Sequence, residues 1–354
     1  MRSISRWSSA AMALSLGVSA CSSSTVGAGG ANRGGHDAGK TIGAAGTTNA
    51  ATDASGLIAV DAGIPGALPE VSPSEFPLTK LDANGFTFDV RLAGPETGEL
   101  VVLLHGFPET SFEWRHQMGA LVNAGYRVLA PDQRGYSASA RPAATDAYAI
   151  INLISDVMAM VDALGVDKFH VVGHDWGAGV AWGVGIVGGA RLRTLTAISV
   201  PHPGAFNAAL ADQNGCQYNA SAYFDVFTQP NSEDAFLADD ASALKATYAE
   251  FPPEVSTEYL RVLNSKPALS AALNWYRANV ENRMIKGSIS THITVPTMMI
   301  WSDQDPFLCR DGAELTKDYV DAPYHLEVIT GVDHWVPELG AARATELLLK
   351  HFAQ

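Results

Sequence analysis

Basic residues are scarce in this sequence, and cysteines are scarcer still. Lys and Arg number 23 against 37 Asp and Glu, which gives a formal net charge of −14 at pH 7 over 354 residues. Because phosphate binding requires clustered Lys and Arg, this balance argues against a nucleic-acid partner. The three cysteines, Cys21, Cys216 and Cys309, are too few for a disulfide framework, and their spacing is not that of a metal site. We expect no metal ion, and the sequence leaves open whether Cys216 and Cys309 pair.

A long apolar run is also missing from the N-terminus. Residues 10–18 are apolar but too short to span a bilayer as a permanent helix. Arg2 and Arg6 precede this run, and small residues ending at Cys21 follow it, which is the pattern of an export signal. The cysteine resembles the lipidated residue of a bacterial lipoprotein signal; the alternative is a plain secretory signal in which Cys21 is incidental. We therefore predict a signal over residues 1–21 and a lipid-anchored protein of a bacterial cell envelope, or otherwise a periplasmic or secreted one.

Aromatic residues are absent from the next stretch. No Phe, Trp or Tyr occurs between Ser22 and Pro73, where Gly, Ala, Ser and Thr dominate. Such a segment cannot bury enough apolar surface to offset its ordering entropy. We predict a flexible tether over residues 22–75 and a folded domain from Phe76 onward.

Short apolar runs then alternate with amphipathic stretches. Residues 101–104, 126–130, 169–172, 194–200, 298–301 and 326–330 have the composition of buried strands, and residues 111–124 and 146–164 have helical spacing. This alternation predicts an α/β fold, with a mostly parallel sheet and helices on both faces. We assign residues 76–203 and 294–354 to the two parts of this core.

Residues 204–293 interrupt the pattern. They contain no clear strand, and several helix-like segments are separated by prolines. A helical insertion between two parallel strands would lie over the carboxyl ends of the strands, where open α/β sheets bind ligands. We predict an all-helical cap; the alternative is a separate domain with its own function.

The candidate nucleophile is Asp175, in the pentapeptide GHDWG at residues 173–177. The pattern follows a predicted strand and precedes a helix, which is the context of a nucleophile elbow, with Asp where esterases have Ser. An Asp between glycines is often only a turn residue. No G-x-S-x-G pattern occurs elsewhere in the chain, however, which favours Asp175 as the nucleophile.

The residues HGFPE at 105–109 follow the first predicted parallel strand. In elbow geometry an oxyanion hole takes one amide from this loop and one from the residue after the nucleophile. We predict the amides of Phe107 and Trp176, because Pro108 has no N–H. His105 is assigned a structural hydrogen-bonding role.

The candidate base is His334, which follows the last predicted strand, as the chain order nucleophile, acid, histidine requires. Its orienting acid should follow an earlier strand, and Asp303 and Asp305 both do so. We favour Asp305, which lies farther beyond the strand and just before a proline.

These segments together resemble the epoxide hydrolases of the α/β-hydrolase superfamily, over nearly all of residues 86–352. The most specific parts are HGFPE at 105–109, DQRGY at 132–136, GHDWG at 173–177 and LNWYR at 273–277. The resemblance implies two cap tyrosines that reach the epoxide oxygen. Tyr276 matches the second of them; Tyr223 matches the first, with Tyr218 as its rival. It also places His105, Pro108 and Trp176 at the substrate pocket.

The resemblance implies a small apolar epoxide as substrate and no cofactor. Asp175 would open the ring to form an alkyl ester, and water activated by His334 would hydrolyse that ester to a vicinal diol. A haloalkane dehalogenase with the same Asp-His-Asp triad is the nearest alternative. A catalytically silent binding protein on this fold is a more distant one, since a fold does not fix function.

Overall fold

The structure is a computed structural model, and it describes residues 71–286 and 291–354. The predicted export signal at residues 1–21, its Cys21 and nearly all of the predicted tether lie outside these residues. Among the helices that are described, none is both long and apolar enough to cross a membrane.

An eight-stranded sheet forms the centre of the described chain, with strand order β1-β2-β4-β3-β5-β6-β9-β10. All neighbours from β4 to β10 are parallel, whereas β1, β2 and β4 pair antiparallel. The predicted α/β fold with a mostly parallel sheet is confirmed; the two antiparallel strands at its edge were not predicted. The sheet strands are β1 (Leu78–Ala83), β2 (Phe86–Ala93), β3 (Leu100–Leu104), β4 (Arg127–Pro131), β5 (Phe169–His174), β6 (Leu192–Ile198), β9 (Thr297–Ser302) and β10 (Tyr324–Ile329).

Helices cover both faces of this sheet, and the central strands are accordingly buried along their whole length. Every residue of β3 and β5 is buried, as expected for parallel strands covered on two sides. The core helices are α1 (Arg115–Asn123), α2 (Ile150–Ala163), α3 (Trp176–Gly188), α10 (Arg310–Leu315), α11 (Val336–Leu339) and α12 (Ala341–Phe352). A set of buried apolar side chains that includes Trp114, Met118 and Leu347 joins α1 and α12 to the sheet. Each such fully buried apolar side chain stabilises the fold by about 1.5–3 kcal/mol.

Two of the predicted helices are shorter than expected. Residues 146–164 divide at Ala149, whose φ of −55° and ψ of 141° are extended, so that a 3-10 turn (Thr145–Tyr148) precedes α2. Residues 111–124 begin with a 3-10 turn (Ser111–Trp114), in which the Thr110 hydroxyl accepts the Phe112 N–H before α1 starts. In both cases the apolar spacing is continuous, and only the backbone changes.

The segment between β6 and β9, residues 199–296 and here called the insertion, is not purely helical. It contains α4 (Pro203–Leu210), α5 (Cys216–Ala220), α6 (Phe224–Phe227), α7 (Glu233–Thr247), α8 (Pro253–Leu263) and α9 (Lys266–Asn279), and also a hairpin of β7 (Val280–Glu281) and β8 (Met284–Ile285). Non-helical backbone at residues 238–241 divides α7 into two helical parts. The expectation of an all-helical segment is therefore wrong at this hairpin. Its turn residues, Asn282 and Arg283, both have positive φ, which is the conformation that tight hairpins need.

Two hydrogen bonds and a disulfide are among the contacts that fasten the insertion to the core. The Trp275 indole donates a hydrogen bond to the carbonyl of Arg134 at 2.9 Å, and the Tyr248 hydroxyl donates to the carbonyl of Pro108 at 2.5 Å. A disulfide joins Cys216 of the insertion to Cys309, just before α10, which settles the pairing that the sequence left open. The contacts reach loops that follow β3, β4 and β9, at the carboxyl ends of the parallel strands.

Candidate active site

Asp175 occupies a strained turn between β5 and α3. Its φ of 48° and ψ of −122° are unusual for a residue with a side chain. The two flanking glycines are needed for close packing: a Cβ on Gly173 would lie 2.1 Å from the carbonyl oxygen of Gly177, and a Cβ on Gly177 would lie 2.0 Å from that of Leu104. The pattern in the sequence thus has a steric cause, and the turn raises the Asp175 side chain above the end of the sheet.

The structure brings the candidate nucleophile, base and acid into one chain of contacts. Asp175 Oδ2 lies 3.5 Å from His334 Nε2, and His334 Nδ1 lies 2.8 Å from Asp305 Oδ2. The other oxygen of Asp305 accepts the amides of Phe307 and Leu308 at 2.8 and 3.0 Å. These three residues are here called the triad.

The rival acid has another partner. Asp303 Oδ1 accepts the N–H of Gly331 at 2.7 Å and Gln304 Nε2 at 3.2 Å. It ties the loop after β9 to the loop that carries His334. The geometry therefore favours Asp305 as the partner of the imidazole, as the sequence suggested.

The triad residues alter one another's proton affinity. Burial alone would raise the pKa of the Asp175 carboxyl, but the hydrogen bond and charge of His334, the charge of His174 and the Phe107 amide lower it below its ordinary value. Burial would lower the pKa of His334, yet the charge of Asp305 and hydrogen bonds with Asp175 and Asp305 raise it to about 9. With Asp175 ionised, the imidazole therefore holds a proton at neutral pH.

The two predicted amide donors are both close to Asp175. The Phe107 N–H donates to Asp175 Oδ1 at 2.9 Å. Trp176 is the first residue of α3, and the amides of a first helical turn have no partner inside the helix. The peptide between Phe107 and Pro108 is cis.

The two tyrosines of the insertion lie in one aromatic group over the nucleophile. The Tyr276 ring lies 5.1 Å from Trp176 and 5.4 Å from Phe107, and Tyr223 lies 6.2 Å from Tyr276, between ring centres. Burial and then the charge of Asp175 raise the pKa of both phenols well above 10, so both keep their protons. The rival Tyr218 packs instead under the Arg283 guanidinium, 4.5 Å away.

A largely apolar cavity opens onto this group. Counted together with the space at its opening to solvent, it measures about 860 Å³. Asp175, Trp176, Tyr223 and Lys286 are among the residues that line it. The remaining walls are mostly aliphatic and aromatic, from Ile150, Ile154, Ile186, Val200, Pro201, Pro203, Phe206, Phe224, Ile285 and Leu308.

His105 and Pro108, expected at the pocket, are not among the described residues that line this cavity. His105 Nε2 accepts the Gln133 N–H at 3.1 Å, so the proton is on Nδ1, which donates to the carbonyl of Gly106 at 2.9 Å. Both ring nitrogens are thereby used in holding loops together. This arrangement matches the structural role assigned to His105 from the sequence.

Sequence reasoning missed a second charged group, formed by Glu109, Glu113 and His174 and here called the buried cluster. His174 Nδ1 lies 3.1 Å from Glu113 and 3.3 Å from Glu109, and all three side chains are fully buried. Burial and then the charge of Glu113 raise the pKa of Glu109 to about 8. The three ligand atoms lie within 4.8 Å of one another, a composition that could hold a metal, but the same atoms already pair with each other. The signal in the sequence was Glu109 in HGFPE with a second Glu four residues later.

Known proteins resemble the chain over this whole region. The model of the α/β-hydrolase fold family matches residues 99–341. The Bacillus subtilis AB hydrolase superfamily protein YfhM is 36% identical over 281 residues, which is 77% of this chain and 96% of that protein. Epoxide hydrolase 4 of Mus musculus is 30% identical over 270 residues, or 73% and 74% of the two chains.

Solved structures of epoxide hydrolases share the fold of this chain. One described among novel epoxide hydrolases from metagenomes of hot environments has a TM-score of 0.69 and 30% identity, covering 79% of this chain and 99% of that one. Sequence identity and shared fold thus extend across the sheet, the elbow and the insertion. The chain belongs to the α/β-hydrolase superfamily, in the family that includes the epoxide hydrolases.

Proposed function

We propose that this protein hydrolyses an epoxide to a vicinal diol through an alkyl ester on Asp175. The observation that carries the proposal is a carboxylate in the lining of an apolar cavity, with His334 3.5 Å from one of its oxygens and the buried phenols of Tyr223 and Tyr276 nearby. The epoxide hydrolases among its relatives support the same substrate class. The chain is a hydrolase that acts on the ether bond of an epoxide.

The first step is attack by Asp175 on a ring carbon. The carboxyl pKa lies below its ordinary value, so the group is ionised at neutral pH and needs no base. Asp175 Oδ2 forms the bond to carbon, because Oδ1 is already held by the Phe107 amide. The ring C–O bond breaks, and its electron pair stays on the epoxide oxygen.

Tyr276 and Tyr223 act on that departing oxygen. An alkoxide leaves poorly unless it is protonated, and general acids typically contribute 10²–10⁴-fold. Both phenols are protonated, since burial and the Asp175 charge raise their pKa values. As negative charge moves from Asp175 to the epoxide oxygen, the second of these causes disappears and proton transfer becomes easier.

Ester formation also changes His334. The Asp175 hydrogen bond is one of the contacts that raise the imidazole pKa to about 9, and a neutral ester no longer provides it. The pKa therefore falls, and the imidazole loses its proton when a base is needed. His334, oriented by Asp305, then takes a proton from water, which attacks the ester carbonyl.

The oxyanion formed in this second step lies on Asp175 itself. The Phe107 amide, 2.9 Å from Oδ1, is aligned to stabilise it, and the Trp176 amide completes the pair. Removing one donor of this kind costs about 3 kcal/mol in a serine hydrolase. The acyl C–O bond breaks, and the diol leaves with one oxygen that came from Asp175.

A single turnover in heavy-oxygen water tests the covalent scheme. With enzyme in excess over an aryl epoxide, we expect the diol to carry ordinary oxygen and the label to enter Asp175, as read by peptide mass. Label in the diol of that first turnover would mean direct attack by water and would overturn the scheme.

The dehalogenase alternative is separated by a pair of substrates. We expect diol from an aryl epoxide and no bromide from a bromoalkane of similar size, because phenols protonate an alkoxide whereas halide needs N–H donors. Bromide release faster than diol formation would reverse the assignment. The triad alone cannot distinguish them, since both reactions use it.

We also propose that the chain is exported and anchored through a lipid on Cys21. The disulfide between Cys216 and Cys309 supports this, because disulfides persist in oxidising compartments such as the bacterial periplasm. The test is fractionation with intact-mass analysis of the wild type and of Cys21→Ser. Recovery of the wild type in the cytoplasm with residues 1–21 intact would disprove the proposal.

A further inference from the structure

The start of α5 is attached to the loop after β9 by two independent links. The first is the Cys216–Cys309 disulfide. The second is the adjacent Gln217, a buried side chain that the proposed mechanism does not use. Its Oε1 accepts the Cys309 N–H at 2.9 Å, and its Nε2 donates to the carbonyl of Phe307 at 2.8 Å. These two links are here called the clamp.

One end of the clamp holds the peptide that orients the acid. The carbonyl of Phe307, bound by Gln217, and the N–H of Leu308 belong to the same peptide unit. That N–H donates to Asp305 Oδ1 at 3.0 Å, while Asp305 Oδ2 pairs with His334 at 2.8 Å. A rotation of this peptide would break its hydrogen bonds to Gln217 and to Asp305 together. Gln217 therefore fixes the orientation of the peptide whose N–H binds Asp305.

The other end holds the turn that carries a tyrosine. Gln217 Nε2 also lies 3.0 Å from the hydroxyl of Ser221, which begins the 3-10 turn (Ser221–Tyr223) ending at Tyr223. The Phe307 ring lies between the two ends, 5.4 Å from Tyr223 and 5.1 Å from His334 between ring centres. The clamp thus joins a residue of the ring-opening step to residues of the ester-hydrolysis step.

We propose that Gln217 and the Cys216–Cys309 disulfide are positioning residues that hold Tyr223 and Asp305 in register across the insertion and the core. The proposal rests on the proposed function and deepens it. Ester formation and ester hydrolysis both depend on the clamp, which contacts neither substrate nor nucleophile. Near-attack geometry is demanding, and a misplacement of about 1 Å can cost about a hundredfold in rate.

The disulfide of the clamp can also be reduced. Cys216 is exposed although Cys309 is buried, so a dithiol in solution can attack Cys216 sulfur. The reductant supplies two electrons and two protons, the S–S bond is replaced by two thiols, and the dithiol becomes a cyclic disulfide. Gln217 then remains as the only link of the clamp.

The experiment measures the two half-reactions separately. Rapid quench with an aryl epoxide and protein mass detection gives the rates at which the ester on Asp175 forms and decays. Gln217→Leu removes all three side-chain hydrogen bonds, and Cys216→Ser with Cys309→Ser removes the disulfide. Gln217→Glu can still accept the Cys309 N–H but cannot donate to Phe307, which isolates the peptide contact.

We expect Gln217→Leu, which loses the contacts at both ends of the clamp, to slow ester formation and ester decay between about tenfold and a hundredfold. Gln217→Glu should slow ester decay by a similar factor, and the double-serine variant should slow both steps about tenfold. The control is Gln229→Leu, an exposed glutamine of the insertion whose Nε2 donates only to Asp225 of the same segment. It should keep wild-type rates. Where the double-serine variant does not fold, the reduced and thiol-blocked wild type replaces it.

A readout without substrate separates this proposal from the proposed function. The charge of Asp305 and hydrogen bonds with Asp175 and Asp305 raise the imidazole pKa of His334 to about 9. An NMR titration of the free enzyme follows this pKa. A loosened Asp305 should lower it in Gln217→Leu and leave it unchanged in Gln229→Leu. Unchanged half-reaction rates and an unchanged titration in the folded clamp variants would overturn the clamp. A wild type that opens no epoxide would refute the proposed function, and the titration would still decide on the clamp.

Discussion

Two groups that each combine two carboxyl groups with one imidazole lie side by side in this protein. The triad contains two Asp and one His, and the buried cluster contains two Glu and one His. They touch: His174 Nε2 lies 2.9 Å from the carbonyl oxygen of His334, and the two imidazole rings are 4.8 Å apart. One group opens to the cavity, and the other is closed to solvent on every side.

Hydrogen-bond partners distinguish Asp175 from Glu109, although Glu113 of the buried cluster also accepts one main-chain N–H, from Gly106. Asp175 and Asp305 accept three main-chain N–H groups between them, whereas neither oxygen of Glu109 receives one from any described residue. Burial raises the pKa of Asp175, but the hydrogen bond and charge of His334 lower it below its ordinary value, whereas burial and then the charge of Glu113 raise the pKa of Glu109 to about 8. Neighbouring charges and hydrogen-bond donors thus decide which buried carboxyl group keeps its charge.

The comparison is tested most severely at the nucleophile. Asp175→Ala removes the only triad oxygen that can bond to substrate, and we expect kcat/KM for an aryl epoxide to fall on the order of 10⁴-fold or more. Steady-state diol formation measures it. A folded variant that retains a hundredth of the activity would show that the reaction does not pass through Asp175.

His334→Gln should stop the second step and leave the first. The ester on Asp175 then accumulates, so the protein gains the mass of one substrate molecule, and kcat falls about 10⁴-fold. Intact mass spectrometry after mixing with excess epoxide detects this. The matched control is Asp175→Ala with His334→Gln, and an equal mass gain there would place the adduct on another residue.

The tyrosines should give smaller losses. Tyr276→Phe and Tyr223→Phe each remove one proton donor, and we expect ester formation to slow by about 10²-fold in each. Tyr218→Phe is the control, because that ring packs under Arg283 away from Tyr276. If Tyr218→Phe were slow and Tyr223→Phe normal, the assignment of the first tyrosine would be exchanged.

A substitution in the buried cluster should lower the free energy of unfolding more than it lowers the catalytic rate. Glu113→Gln removes the charge that contributes most to raising the pKa of His174 and leaves a buried cation with one weaker partner. Breaking a buried ion pair in this way costs about 3–5 kcal/mol. Urea unfolding measures it, and a loss below about 1 kcal/mol would mean that the His174–Glu113 contact is unimportant to the fold.

Glu109→Gln should be the mildest change. The folded carboxyl holds its proton up to about pH 8, while the unfolded one releases it near 4.5. Its contribution to stability is therefore complete below pH 4.5 and is lost as the pH rises to about 8. Glutamine does not titrate, so the difference between melting temperatures at pH 5 and pH 8 should shrink in the variant. An unchanged difference would mean that Glu109 is ionised throughout.

The sequence was sufficient for features that depend on local pattern. The elbow could be found because glycines two residues either side of Asp175 are sterically required, and His334 because the chain order of the fold fixes its place. The apolar runs of β3 and β5 identified the parallel sheet, since strands buried on both faces carry no alternation.

Features that depend on distant contacts could not be found in this way. The partners of Gln217 lie about 90 residues downstream, and nothing in its own neighbourhood distinguishes it from a surface glutamine. The edge strands β1 and β2 have mixed polarity, because only part of each is buried. Glu113 becomes exceptional only when folding encloses it with His174.

The turn at Asp175 can carry different side chains at its tip. Its backbone is shaped by the contacts of Gly173 and Gly177 with neighbouring carbonyls, not by the side chain at its tip. A change of that one side chain therefore leaves the scaffold intact and alters only the atom presented to the substrate. The same turn can therefore present a nucleophile of another kind while every strand and helix stays in place.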